Sequence, residues 1–409
     1  MGPTLAEVND SPEAPSAPAQ PELPVVSEAL HAELVAFRRD LHRHPELSRQ
    51  EFRTTRKIKA HLERIGLAPT VLPHGTGLFC DIAAPGDDRP RLALRADIDA
   101  LPVPDQKSVP YRSTAEGRAH ACGHDAHTTI VLGTGLLLAD LLRAGRLPRP
   151  VRLLFQPAEE VMPGGALDAI KAGVLENVDR ILAVHCDPKV EVGRIGLRVG
   201  PITSAADKVS LTLEGPGGHS ARPHLTTDLV MAVAKFATEL PAALSRRVDP
   251  RSGLSLVWGR IEAGHAANVI PSHAELEGTL RCLELAAWHE APDLVHEVVD
   301  HIAATYRAKC AIVYQRGVPP VVNEATSVEL LREAMTARYG LHAIEDTEQS
   351  LGGEDFSWYL ERVPGALARL GVRPVGDTAK RDLHQGDFDI DEGALTVGAE
   401  LFTAAVLLS

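Results

Sequence analysis

From Ser27 onward, apolar residues recur at Leu30, Leu34, Phe37 and Leu41, the spacing of one helix face, and Ser27 stands where a capping side chain belongs. Phe52, Ile58, Leu62 and Ile65 predict a second helix that turns those residues inward and stops at Gly66. Short apolar runs follow in LFCDIAA, RLALRAD, VRLLFQP and RILAVHC, separated by helical stretches such as 128–144. Runs and helices in this rhythm predict an α/β sheet with helices on its faces. Ligands of such sheets bind in the loops at the strand ends.

Near residue 203 the pattern changes. Val209, Leu211 and Leu213 alternate with Lys208, Ser210, Thr212 and Glu214, the period of a strand with one wet face. A helix (228–244), two strands (254–262 and 274–282), a long helix (285–307) and a strand (310–316) come next. That βαββαβ order is a split-βαβ, ferredoxin-like module. The chain then returns to the first texture until a last helix near 391–407. The expected organisation is a Pro- and Ala-rich flexible tail (1–25) and a discontinuous α/β domain with a mixed sheet (26–202 and 317–409). A smaller inserted domain (203–316) interrupts it.

Charge narrows the function classes. With 42 Lys plus Arg against 55 Asp plus Glu, the net charge is −13, the wrong sign for a nucleic-acid partner. Five cysteines at 80, 122, 186, 282 and 310 make no short-spaced disulfide framework, which fits a reducing cytoplasm. The longest apolar candidate, Ile130 to Leu142, is interrupted by Gly133, Gly135 and Asp140 and falls short of a span of about 18 residues, so no membrane insertion is expected. The first residues lack the basic start and apolar centre of a signal peptide.

The densest chemistry is HACGHDAH, residues 120–127, with three imidazoles, a thiol and a carboxylate ahead of an apolar helix. Cys122 and His124 lie at that helix's N-terminus, where the dipole favours the thiolate a metal needs. A buried structural cysteine with surface histidines is the alternative. Glu159 and Glu160 close LLFQPAEE at a strand end, so one carboxylate can ligate a metal while the other serves as general base. His185 ends RILAVHC at the same sheet edge, and His384 lies in a loop before the last helix. Cys122, His124, Glu160, His185 and His384 together offer five ligating groups, enough for two divalent metals if one bridges. Two such cations would activate water and polarise a scissile carbonyl.

The ordered blocks LHRHPELS, RADIDALPV, HACGHDAHT, FQPAEE, GHSARPH, NVIP, GTLR, GGEDF and LHQGDFDI resemble the aminoacylase and carboxypeptidase family of co-catalytic metal hydrolases. They are most similar to its branch of hippurate hydrolases, N-acyl-amino-acid amidohydrolases and indole-acetyl-amino-acid hydrolases, from Leu30 to the C-terminus. The resemblance implies an inserted lid that often forms a homodimer contact. It makes Cys122 the bridging ligand, gives Glu160 and His384 to one metal and His124 and His185 to the other, and makes Glu159 the general base. Asp97 matches an acidic residue that elsewhere follows a ligating His by two. That earlier position is Arg95 here, so Asp97 is expected to support the ligands rather than bind metal.

The resemblance also places His219 over the scissile carbonyl as an oxyanion stabiliser, sometimes from the partner subunit, and makes Asn268 and Arg281 substrate-binding, with Arg281 suited to a free α-carboxylate. Gly353, with Gly352, belongs to the loop beside the metals, where Asp355 could also cap the next helix. His42 and His44 read as structural, as do Cys80, Cys282 and Cys310, and Cys186 as buried on the face opposite His185. The expected activity is cleavage of N-acyl-amino-acid or related amides by metal-activated water, with zinc or manganese, and cobalt or nickel as further candidates. A small- or cell-wall-peptide hydrolase, a Cys122 thiol enzyme and a non-catalytic binding module are the rivals.

Overall fold

The computed structural model describes residues 22–379 and 381–409, so residues 1–21 of the expected tail lie outside the described residues. Helix α1 (Glu28–Arg43) starts where Ser27 Oγ accepts from the Leu30 amide, and it buries Leu34, Phe37 and Leu41. Helix α2 (Phe52–Arg64) buries Ile58 and Leu62, and Gly66 ends it at φ +85°. Phe52 departs from the inward expectation: it is 45% exposed, because the first helical residue lies over the Gly75 turn instead of the core.

Strands β1 (Thr70–Val71), β2 (Leu78–Ile82) and β3 (Arg91–Asp97) lead to helix α3 (His124–Arg143), which begins four residues earlier than its apolar pattern suggests. Strand β4 (Val151–Gln156), helix α4 (Ala166–Lys171) and strands β5 (Val178–Glu191), β6 (Ile195–Leu197) and β7 (Gly200–Pro201) follow. The insert comprises β8 (Ala205–Glu214), β9 (Gly218–His219), α5 (Leu229–Arg247), β10 (Ser255–Ala263), β11 (Val269–Ile270), β12 (His273–Cys282), α6 (Leu285–Tyr306) and β13 (Lys309–Val318). Strand β14 (Val322–Asn323), helix α7 (Ala325–Tyr339), strand β15 (Ile344–Asp346), helix α8 (Ser357–Leu360), strand β16 (Gly365–Arg373) and helix α9 (Gly393–Leu408) complete the chain.

Eight strands form one mixed sheet in the order β1-β2-β4-β3-β5-β16-β6-β15, drawing on segments before and after the insert. Its central strands β4, β3, β5 and β16 run parallel, so their C-terminal ends share one edge, the edge where such sheets bind ligands. Both faces are covered. Strand β4 is buried at every position, and α3 packs beside α9 and α1 through Ile130, Val131 and Leu138. Helix α3 is long and apolar enough to cross a membrane, but 83% of that stretch is buried in the protein, which makes it the core helix of this layer.

The insert has its own four-stranded antiparallel sheet, order β10-β12-β8-β13, backed by α5 and α6. Val209, Leu211 and Leu213 point into its core while Lys208 and Glu214 face out, as their alternation requires. Each buried Val or Leu contributes about 1.5–3 kcal/mol, enough to fix register, since a one-residue slip would expose all three. Trp288 of α6 meets Trp358 of α8 edge-on at 5.9 Å, joining the insert to the larger unit.

Candidate active site

The HACGHDAH block enters α3 through Gly123 at φ +91°. A Cβ there would lie 2.7 Å from the Cys186 sulfur, so only glycine permits both the left-handed turn and the close approach. This turn sets Cys122 and His124 at the sheet's ligand edge. Ala158 at φ +59° and His384 at φ +64° occupy the same sparsely populated region, one just before Glu159 and the other a proposed ligand itself. His185 reaches the edge from β5, and Cys186 points to the opposite face, fully buried, with its thiol pushed up by burial and by Asp125.

The five expected ligands converge. The donor atoms of Cys122, His124 and His185 lie within 4.8 Å of one another, and so do those of Cys122, Glu160 and His384, with Cys122 common to both sets. Cys122 Sγ is 3.5 Å from His185 Nε2, and Glu160 Oε1 is 3.8 Å from His124 Nε2 and 3.5 Å from His384 Nε2. The other ring nitrogens are engaged: His124 Nδ1 donates to the Asp99 carbonyl at 3.0 Å and His185 Nδ1 to the Cys186 carbonyl at 2.8 Å. With Nδ1 committed, Nε2 is the ring nitrogen that each histidine turns toward the other donors. His124 Nε2 and Glu160 Oε1 are buried without a hydrogen-bond partner among the described residues. Thiol, imidazole and carboxylate donors left unsatisfied in this way fit divalent cations.

Charge tells the same story. Burial pushes the Glu159 carboxyl well above its usual range, helped by Glu354 and Glu160. Glu160 rises to about 7 through burial, against the pull of His124. Burial, with Glu160 and Glu159, also pushes the Cys122 thiol up, against the lowering expected from the helix terminus. A dipole falls off within a turn, whereas these carboxylates share the cavity, so a nearby cation is what would favour the thiolate.

Asp97 is fully buried and already paired. His127 Nδ1 donates to its Oδ1 at 2.6 Å, while His127 Nε2 accepts from the Cys186 amide at 2.8 Å, which fixes the tautomer. Arg95 donates to Asp97 at 2.8 Å, Asp355 at 2.8 Å and Glu354 at 3.0 Å, so its guanidinium binds three carboxylates behind the ligands. Burial opposes ionisation of Asp97, but His124, His127 and Arg95 hold it well below the usual carboxylate range. Asp355 accepts from the Ala166 amide and therefore caps α4, while α8 begins without a side-chain cap.

A cavity of about 490 Å³ opens on this edge. Cys122, Glu159, Glu160, His185 and His384 line it, together with Arg281 and Gly353. Arg281 of β12 donates to the Leu351 carbonyl, and a Cβ on Gly353 would stand 3.0–3.2 Å from Val318, Ala206 and Met162, so the wall here is close-packed. His219 and Asn268 do not line it: His219 pairs with Val269 in the exposed β9–β11 ribbon of the insert. Sequence reading passed over His127, Asp99 and Arg369. His127 stood inside the same block, and Arg369 was a lone cation in the apolar run GALARLGV.

Residues 93–408 match the family described as Peptidase family M20/M25/M40. N-acetylcysteine deacetylase of Bacillus subtilis (strain 168) is 37% identical over 385 residues, covering 94% of this chain and 98% of that protein. A Rhodococcus jostii (strain RHA1) protein bearing a glutamate--cysteine ligase name is 47% identical over 375 residues, but the chain spans 46% of its length. The crystal structure of the Bacillus subtilis YXEP protein, a dinuclear metal-binding peptidase from the M20 family, superposes with a TM-score of 0.80 at 35% identity, covering 93% of this chain and 98% of that one. With the sheet, the insert and the convergent donors in view, the chain belongs to Peptidase family M20/M25/M40 and is a metal-dependent hydrolase of amides.

Proposed function

We infer that this hydrolase removes acyl groups from small N-acyl amino acids. The observation that carries the reading is Glu159, a cavity-lining carboxylate beside two donor sets that share Cys122. Cys122, Glu160 and His384 would hold one divalent ion, and Cys122, His124 and His185 the other, with Cys122 bridging. The ions, when bound, polarise the amide carbonyl and acidify water. Thiolate and imidazole donors suit zinc, and the carboxylate admits manganese, cobalt or nickel.

Glu159 takes the proton from the attacking water and returns it to the leaving nitrogen. Burial and neighbouring carboxylates raise its proton affinity, and bound cations would lower it toward the working range. Arg281 holds the α-carboxylate of the amino acid through its guanidinium. Asp97 orients His127 and balances Arg95 without entering the ligand set. Gly353 lets the cavity wall close against Val318, Ala206 and Met162. His219 and Asn268, set apart on the insert, reach a cavity in a second copy of the chain, so a homodimer in the cytoplasm is the working form.

The test is metal content by elemental mass spectrometry beside hydrolysis of a panel of N-acyl amino acids and dipeptides, before and after chelation. About two equivalents of metal and chelator-sensitive release of amino acid from the acyl substrates are expected. Turnover of dipeptides alone, or chelator-insensitive turnover stopped by alkylation, would displace this reading.

A further inference from the structure

Among the described residues, four arginines are buried: Arg38, Arg95, Arg152 and Arg369. Three have carboxylate partners. Arg38 pairs with Asp125 and Asp389, Arg95 with Asp97, Glu354 and Asp355, and Arg152 with Asp81. Arg369 is 7% exposed and makes no ion pair and no side-chain hydrogen bond among the described residues. The groups whose charge acts on it are Asp187, Glu354 and Cys122, the first two committed elsewhere and the third a proposed metal ligand. Asp187 accepts from the Lys189 amide, and Glu354 accepts from Arg95 and the Phe356 amide. An unpaired buried guanidinium is costly, and burial does destabilise its charge here.

Its position gives that cost a use. Arg369 is the register partner of His185 on the neighbouring parallel strand, so both side chains leave the same face of the sheet. It lines the cavity with Cys122, Glu159 and Arg281. The two guanidiniums enter from different units, Arg281 from the insert and Arg369 from the floor of the large sheet. An α-carboxylate at Arg281 leaves Arg369 without an anion.

We propose that Arg369 is a specificity residue that binds a second carboxylate of the substrate, so that the preferred substrates are N-acyl amino acids carrying two acidic groups. This rests on the N-acyl amino acid reading above and narrows it. The second acid belongs either to the amino acid or to the acyl group, and both present the same planar acceptor to the guanidinium fork.

The experiment compares wild type, Arg369→Met and Arg369→Lys on N-acetylalanine, N-acetylglutamate and N-succinylalanine, the last two locating the second acid. In Arg369→Met, the kcat/KM ratio of the better diacid to N-acetylalanine is expected to fall about 10- to 100-fold, through KM rather than kcat, the worth of a charge-assisted pair. Arg369→Lys should restore part of it. Metal content and thermal midpoint of Arg369→Met should be no lower than those of wild type, because no native partner is orphaned. An unchanged ratio, an equal loss on mono- and diacid, or a loss of folding in both variants overturns the proposal. If wild type hydrolyses no N-acyl amino acid, the functional reading itself falls. Calorimetric binding of glutarate against butyrate then decides Arg369: weaker glutarate binding in Arg369→Met supports the anion site, and equal binding rejects it.

Discussion

The Arg95 guanidinium donates to the Asp97 carboxylate at 2.8 Å, two residues along one strand, where alternate side chains share a face. The same guanidinium gathers Glu354 and Asp355 from a loop more than 250 positions away in the chain. Three carboxylates thereby share one cation directly behind the cluster of candidate donors. Arg95→Met should destabilise the fold by about 3–5 kcal/mol, because it strands buried carboxylates that cannot all protonate cheaply. Urea unfolding checks this, and a midpoint equal to that of wild type would show that the cluster does not depend on Arg95.

Glu159 has the opposite situation, with no cation assigned to it and four acidic neighbours, Glu354, Glu160, Asp355 and Asp97, within its field. Glu159→Gln should lower kcat about 10²- to 10⁴-fold, the usual worth of general acid–base catalysis, while bound metal stays constant. Single-turnover kinetics beside metal analysis separates the roles: loss of metal in step with activity would move Glu159 into the ligand set.

Cys122 is the donor common to both triads. Cys122→Ala should lose metal and activity together, whereas Cys122→Asp keeps an anionic bridge and should retain metal. Adding zinc or manganese to chelated wild type should raise the thermal midpoint, with about 2.7 kcal/mol of stabilisation at a hundred times the dissociation constant. Differential scanning calorimetry reads both effects, and a midpoint indifferent to metal would separate the cluster from cation binding.

At the start of α7, the Glu324 carboxylate accepts from the Thr326 and Ser327 amides. Burial opposes its charge, but hydrogen bonds from Ser327 and Thr326 hold it down to about 2, below its ordinary 4.5. A carboxyl lowered in the fold contributes stability that is complete above pH 4.5 and lost as pH falls through 2. Glu324→Gln should therefore cost about 1 kcal/mol near neutrality and almost nothing near pH 2. Thermal midpoints of both proteins across that range test the sign; a difference that grows on acidification would reverse it.

The sequence by itself determined the elements and the donors. Ser27, Leu34, Phe37 and Leu41 specify α1, and the alternation around Val209–Leu213 specifies β8, because periodicity and capping act over a few residues. HACGHDAH, Glu159–Glu160, His185 and His384 were legible for a similar reason: ligand-type side chains fall at strand ends, and an α/β sheet brings those ends to one edge. Tertiary structure alone decided what each group experiences. It gave Asp97 its partners and left Glu159 without one, pushed the Cys122 thiol up where the helix end predicted the reverse, and left Phe52 at the surface. It also isolated Arg369 beside His185 and separated His219 from the cavity. Burial and Coulomb interactions sum over neighbours far apart in the chain, and no local pattern carries that sum.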